Sequence, residues 1–126
     1  MILIIGGRAQ GKRLWAAQTF GLAETDFSSD PAAPCRALCG ITDCVAEAVR
    51  AGRDPSADII AAVERGPDLI VIADEVGCGI VPDNVFDRTW RDAAGSLTTE
   101  LARRADTVVR IFCGMPTVLK GTASWS

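Results

Sequence analysis

Five apolar residues, Met1-Ile2-Leu3-Ile4-Ile5, run straight into Gly6-Gly7-Arg8-Ala9-Gln10-Gly11-Lys12, and a stretch of helix formers follows. A strand apolar at every position must be covered on both faces, which is the situation of a central strand in a parallel α/β sheet. The spacing is that of the phosphate-cradling signature G-x-x-x-x-G-K-[ST]. In it Gly6 and Gly11 let the backbone N–H groups from Gly7 through Arg8, Ala9 and Gln10 close around a polyphosphate, while Lys12 reaches its outer phosphates. The next position departs from the pattern. Where a hydroxyl is expected as a Mg²⁺ ligand the chain has Arg13, which cannot coordinate a cation and adds a positive charge. Glycines before a lysine also suit a plain strand-to-helix turn. The apolar strand ahead of the match supplies the context that the phosphate-binding reading requires.

At 126 residues, 48% of them hydrophobic and 23% charged, the chain reads as one globular domain spanning 1–126, its last few residues a flexible tail. No apolar stretch reaches the length of a membrane span, so the expectation is a cytoplasmic protein without a membrane partner. Thirteen basic against sixteen acidic residues give a net charge of −3. That balance, without basic-aromatic interleaving, excludes nucleic acid as an expected partner. Five cysteines and no secretory signal point to reduced thiols. Cys35, Cys39 and Cys44 lack a fourth ligand for zinc, since the chain has no histidine. The same absence removes any imidazole base or histidine-linked intermediate, and tyrosine is missing too. Acid-base work at neutral pH falls to Asp, Glu, Lys or Cys.

Along the chain, helix spacing runs from Lys12 to about Ala23, with Gly21 loosening its end. Glu24 to Cys39 reads as a loop with at most a short strand around Thr25 to Ser28. Thr42 or Asp43 is expected to cap a helix through Ala51, and Asp54 a second one opened by Pro55 and ended by Gly66-Pro67. Asp68 to Ala73 is a second central parallel strand, Asp83 or Asn84 opens a long helix through Arg104, and Thr107 to Cys113 is the last strong strand. This alternation predicts a single small α/β domain, a mainly parallel β-sheet flanked by helices, P-loop NTPase-like in arrangement.

Asp74-Glu75 follows the second strand, where a carboxylate at a strand end meets a nucleotide's Mg²⁺. Buried strands often end in a solvated acid, so the pair gains weight only beside the glycine loop. Lys12, Asp74 and Glu75 are the expected catalytic residues, with Asp74 and Glu75 also the metal ligands. Gly6 to Arg13, together with Gly77 and Gly79 of the glycine-punctuated segment after Glu75, form the expected nucleotide cradle.

Glu75-Val76-Gly77-Cys78-Gly79-Ile80-Val81-Pro82 and Arg91-Asp92-Ala93-Ala94-Gly95 resemble the E-V-G-x-G-I-V-P and R-D-x-x-G motifs of the adenosylcobinamide kinase / adenosylcobinamide-phosphate guanylyltransferase family. The likeness extends through Leu101, Ala102, Ala105-Asp106, Gly114 and Lys120, and Gly6 to Lys12 looks like the family's G-G-x-x-S-G-K-S. It covers about half of the chain. The resemblance implies ATP or GTP as the nucleotide, with Mg²⁺, and a corrinoid, cobinamide, as the phosphoryl acceptor. It also implies a homo-oligomer, and guanylyl transfer through a histidine in a middle region that this shortened chain lacks. Gln10 replaces the loop serine and Arg13 the metal-binding hydroxyl. Two functions stay open on these residues: a cobinamide-type kinase without the guanylyl step, and a non-catalytic nucleotide- or corrinoid-binding regulator.

Overall fold

The computed structural model describes residues 1–75 and 85–122, with the side chains of residues 85–87 outside the description. Besides a single 3-10 turn at Glu24–Asp26, the described residues form, in chain order, β1 (Ile2–Gly6), α1 (Lys12–Phe20), β2 (Phe27–Ser28), β3 (Ala37–Leu38), α2 (Ile41–Arg50), α3 (Ala57–Arg65), β4 (Ile70–Asp74), α4 (Val85–Arg104), β5 (Thr107–Phe112) and β6 (Met115–Lys120). The six strands form one sheet in the order β2-β3-β4-β1-β5-β6, parallel except for β6. β1 lies at the middle, with Ile2 to Ile5 in register with Ile70 to Ala73 on one side and Thr107 to Arg110 on the other. The mostly parallel α/β sheet expected from the sequence is present.

Period-2 alternation explains the two cores. Leu3, Val71 and Val108 face Ile41, Val45, Ile59, Leu97 and Leu101, while Ile4, Ile72, Val109 and Ile111 pack with Ala16 and Leu22. Helices α2, α3 and α4 therefore cover one face and α1 the other. Each fully buried Leu, Ile or Val contributes about 1.5–3 kcal/mol by removal of apolar surface from water. The Trp90 indole donates to the Thr42 carbonyl at 2.8 Å, fastening α4 to α2. No helix among the described residues is long and apolar enough to cross a membrane.

Several local expectations change. Neither Thr42 nor Asp43 caps α2. Gly40 does, in the left-handed conformation (φ 70°), where its missing Cβ spares a 3.1 Å approach to the Ser29 Cβ. Thr42 is instead buried in the first turn. The helix after Pro55 begins at Ala57 with Ser56 as its N-cap, because Asp54 folds a turn ahead of it. The Asp54 Oδ1 accepts the Ser56 N–H at 3.0 Å and its hydroxyl at 2.9 Å. Those bonds hold the Asp54 carboxyl below the usual aspartate range. Between Glu24 and Cys39, β2 falls within the short strand expected around Thr25 to Ser28, whereas β3 is a second two-residue strand that was not expected. A further strand, β6, follows β5 through a two-residue turn in which Cys113 and Gly114 both have positive φ (50° and 75°). That backbone is the tight-hairpin conformation.

Burial and neighbouring carboxylates separate the cysteines chemically. Desolvation first, then Cys39 and Asp30, push the Cys35 thiol up; desolvation, then Glu47 and Asp43, do the same to Cys44. A raised pKa leaves less thiolate at neutral pH, and thiolate is the nucleophile. Iodoacetamide at pH 7.5 is therefore expected to alkylate the exposed Cys113 before Cys35 or Cys44, and the latter two should gain rate as pH rises. Peptide mass spectrometry over a time course checks this order; equal rates at the three thiols would contradict it.

Candidate functional site

The carboxyl ends of β1 and β4 lie side by side, with Gly6 opposite Asp74, and Glu75 continues the ladder by donating its N–H to the Gly6 carbonyl at 2.8 Å. This edge of a parallel sheet is where ligands of open α/β folds bind. The Gly6 to Lys12 loop leaves β1 there and enters α1. Gly11 is the N-cap of that nine-residue helix in a left-handed conformation (φ 86°), and no side chain caps the helix. Its first N–H groups and positive dipole end are thus directed at the loop.

Lys12 is the centre of the arrangement. Its side chain is only 7% exposed, and its Nζ lies 2.7 Å from an Asp74 carboxylate oxygen and donates to the Gly7 carbonyl at 2.7 Å. Folding therefore brings together the loop lysine and the strand-end acid that lie 62 residues apart in sequence. Gly6 is buried at the strand end, where a Cβ would sit 2.6 Å from the Ile111 carbonyl oxygen, so the position excludes a side chain. Arg8 and Ala9 are exposed at the loop's outer side, and Ala9 adopts positive φ (61°).

Gln10 has a role the sequence did not suggest. Its side-chain oxygen accepts the Cys113 N–H at 2.8 Å and its backbone oxygen accepts the Gly114 N–H at 2.8 Å, fixing the β5–β6 turn against the loop. Arg13 points elsewhere. Its guanidinium bonds Glu24 at 2.5 Å and stacks 4.3 Å from the centre of the Phe27 ring, at the β2 edge of the sheet.

Glu75 is clamped by a residue absent from the sequence-based site. Arg110 of β5 donates Nε to one carboxylate oxygen at 2.7 Å and Nη2 to the other at 3.1 Å, a bidentate pair. The signal for Arg110 was a lone charge within an otherwise apolar strand, Val108-Val109-Arg110-Ile111. Gly77 and Gly79, the remaining expected cradle residues, lie outside the described residues.

For a divalent ion the donor set is sparse. The Glu75 oxygens are occupied by Arg110, position 13 offers no hydroxyl, and among the described residues no cluster of three acidic or thiol side chains could enclose a metal. Asp74, 31% exposed, remains. One carboxylate fits a Mg²⁺ that arrives on phosphate oxygens and keeps its waters, and does not fit an all-protein cage.

A family model described as cobinamide kinase / cobinamide phosphate guanyltransferase matches residues 40–119. The match takes in Asp74-Glu75, α4, β5 and most of β6, and leaves out the Gly6 to Lys12 loop. Over 63 residues, 49% of the chain, it is 40% identical to the bifunctional adenosylcobalamin biosynthesis protein CobU of Salmonella typhimurium, and over 63 residues 36% identical to the protein of that name from Escherichia coli. The aligned stretch spans 35% of the length of each of these relatives. With more than half of its residues matched by the family model, the chain belongs to the cobinamide kinase / cobinamide phosphate guanyltransferase family.

Proposed function

We propose that the protein binds a nucleoside triphosphate, ATP or GTP, at the Gly6 to Lys12 loop and serves cobalamin biosynthesis as a kinase of the cobinamide type. The observation that carries this reading is the buried Lys12 ammonium between Gly7 and Asp74, beside an uncapped helix N-terminus. In this reading Lys12 exchanges its protein partners for phosphate oxygens, and the loop amides and α1 dipole stabilise the remaining charge. Asp74 is the residue that would hold a phosphate-borne Mg²⁺, which neutralises charge on the transferred group. Gly77 and Gly79 complete the cradle. A guanylyl step through histidine has no imidazole to use in these 126 residues. A cytoplasmic location and a homo-oligomeric state belong to the same reading.

A second reading, binding without transfer, is favoured by two features: both Glu75 oxygens are engaged by Arg110, and Arg13 replaces the metal-binding hydroxyl. Calorimetry with ATP and GTP, each with and without Mg²⁺, together with nucleoside diphosphate release in the presence of cobinamide, separates the two. Tight binding with cobinamide-dependent release supports the kinase; tight, metal-independent binding without release supports the regulator. Lys12→Ala is expected to weaken nucleotide affinity roughly tenfold or more, as for loss of a charge-assisted hydrogen bond. Unchanged affinity in that variant would remove the loop from the reading.

A further inference from the structure

Arg110 is the one charged residue of β5, and its strand neighbours Val108, Val109 and Ile111 are buried. A charge in such a strand needs a partner. It finds one across β1. Arg110 is in register with Ile5, and Glu75 is bonded through its N–H to the Gly6 carbonyl, so the Arg110–Glu75 pair spans the end of β1 where the phosphate loop leaves the sheet. A second ion pair, Lys12 with Asp74, lies at the same strand ends. Two consecutive carboxylates after β4 are thus each neutralised by a cation from a flanking segment, one from the start of α1 and one from β5. The two cations differ in exposure. Lys12 is buried, whereas the Arg110 side chain is about half exposed, so trading one oxyanion for another costs it little desolvation.

From this geometry we infer that Arg110 is a phosphate-binding residue: a nucleoside triphosphate on the Gly6 to Lys12 loop draws its guanidinium from Glu75 onto the terminal phosphate. Lys12 reaches the outer phosphates of a nucleotide in such a loop, and its Nζ stands at Asp74, the residue next to Glu75. The terminal phosphate therefore faces the Arg110 side. The fork that meets the Glu75 carboxylate, with Nε at 2.7 Å and Nη2 at 3.1 Å, meets two phosphate oxygens in the same bidentate manner. A terminal phosphate carries more negative charge than a carboxylate, which favours the exchange. Contact at that phosphate makes Arg110 a reader of triphosphate against diphosphate. Glu75, released, regains both acceptor oxygens at the root of the loop. The pair is then a latch that holds Glu75 back until a triphosphate arrives, and not a fixed brace.

The inference rests on the nucleotide reading, in either its kinase or its regulator form, and the experiment keeps the two apart. Affinities for ATP against ADP and for GTP against GDP are measured by calorimetry with Mg²⁺, for the unmodified protein, Arg110→Ala, Glu75→Gln and the double variant, each checked by a thermal melt. Arg110→Ala is expected to weaken the bound triphosphate about tenfold and the diphosphate by less than about twofold, as for loss of a charge-assisted hydrogen bond to one phosphate. Removing Arg110 also leaves Glu75 unpaired, and that charge repels a triphosphate by itself. The comparison is therefore repeated on Glu75→Gln, where no carboxylate is left to neutralise, and Arg110→Ala added to that background is expected to cost the triphosphate the same factor. Arg110→Gln takes the place of Arg110→Ala if the melt shows that the alanine chain does not fold. A loss that vanishes on the Glu75→Gln background, or that falls equally on triphosphate and diphosphate, overturns the phosphate contact and leaves the nucleotide reading in place. An unmodified protein that binds none of the four nucleotides overturns both.

Discussion

Gly6→Ala is expected to lower stability by about 3 kcal/mol or more, since the new Cβ would stand 2.6 Å from the Ile111 carbonyl and 3.3 Å from the Lys12 Cδ. The contact that matters is the first one. A lysine methylene can move aside, whereas the Ile111 oxygen belongs to the backbone of β5, and relief requires parting two central strands. For a chain of this size that loss corresponds to a fall in melting temperature of roughly 10 °C. Gly21→Ala is the natural control, because that glycine has open space around it and only a positive φ (65°) to strain, at about 1 kcal/mol. A Gly6→Ala protein that melts no lower than the Gly21→Ala one would mean that β1 and β5 separate easily at this end.

The Lys12–Asp74 pair should respond asymmetrically to truncation. Asp74→Ala leaves an ammonium that is 93% buried with only the Gly7 carbonyl as partner, whereas Lys12→Met leaves a carboxylate that is 31% exposed and open to water. Removing one partner of a buried pair costs ~3–5 kcal/mol; the partial exposure of Asp74 lets water screen the site, and about 2–3 kcal/mol is expected for Asp74→Ala. Lys12→Met, which replaces the stem with an apolar chain of similar length, should cost under about 1 kcal/mol by the same reasoning. Urea midpoints for the two variants and the double variant give both numbers and their coupling. The reverse ranking would show that the ammonium finds solvent once the carboxylate is gone.

The central strands were legible from sequence because burial on both faces leaves an unmistakable apolar run, as in Leu3-Ile4-Ile5 and Ile70-Val71-Ile72. Glycine spacing located the loop for a related reason: backbone that must crowd a neighbour excludes side chains. Strand β2 was legible only as a short stretch around Thr25 to Ser28 and β3 not at all, since two residues make no period and their pairing is set by distant partners. The hairpin to β6 has a cue in Cys113-Gly114 between two apolar runs, and Pro116 is tolerated in β6 because that strand lies at the sheet edge. Asp54 attracted the cap assignment because an aspartate before a proline suits a helix start. Its carboxylate serves Ser56 instead, two residues ahead of the true N-cap position. The Arg110 clamp on Glu75 depends on β5 lying next to β1, a fact of topology that no local pattern carries.

The two amides of the Cys113–Gly114 turn end on a single residue, Gln10. The turn and the loop must therefore open together: the loop cannot change its backbone at Gln10 without releasing protons far along the chain. Hydrogen exchange at Cys113 and Gly114 becomes a remote gauge of the loop, readable at a place that need not touch a ligand. Ligand-induced protection of these two amides would signal a tightened loop, and faster exchange a loosened one. A side chain that looked like a lost family serine is thus also a mechanical tie, joining the first strand's loop to the last hairpin.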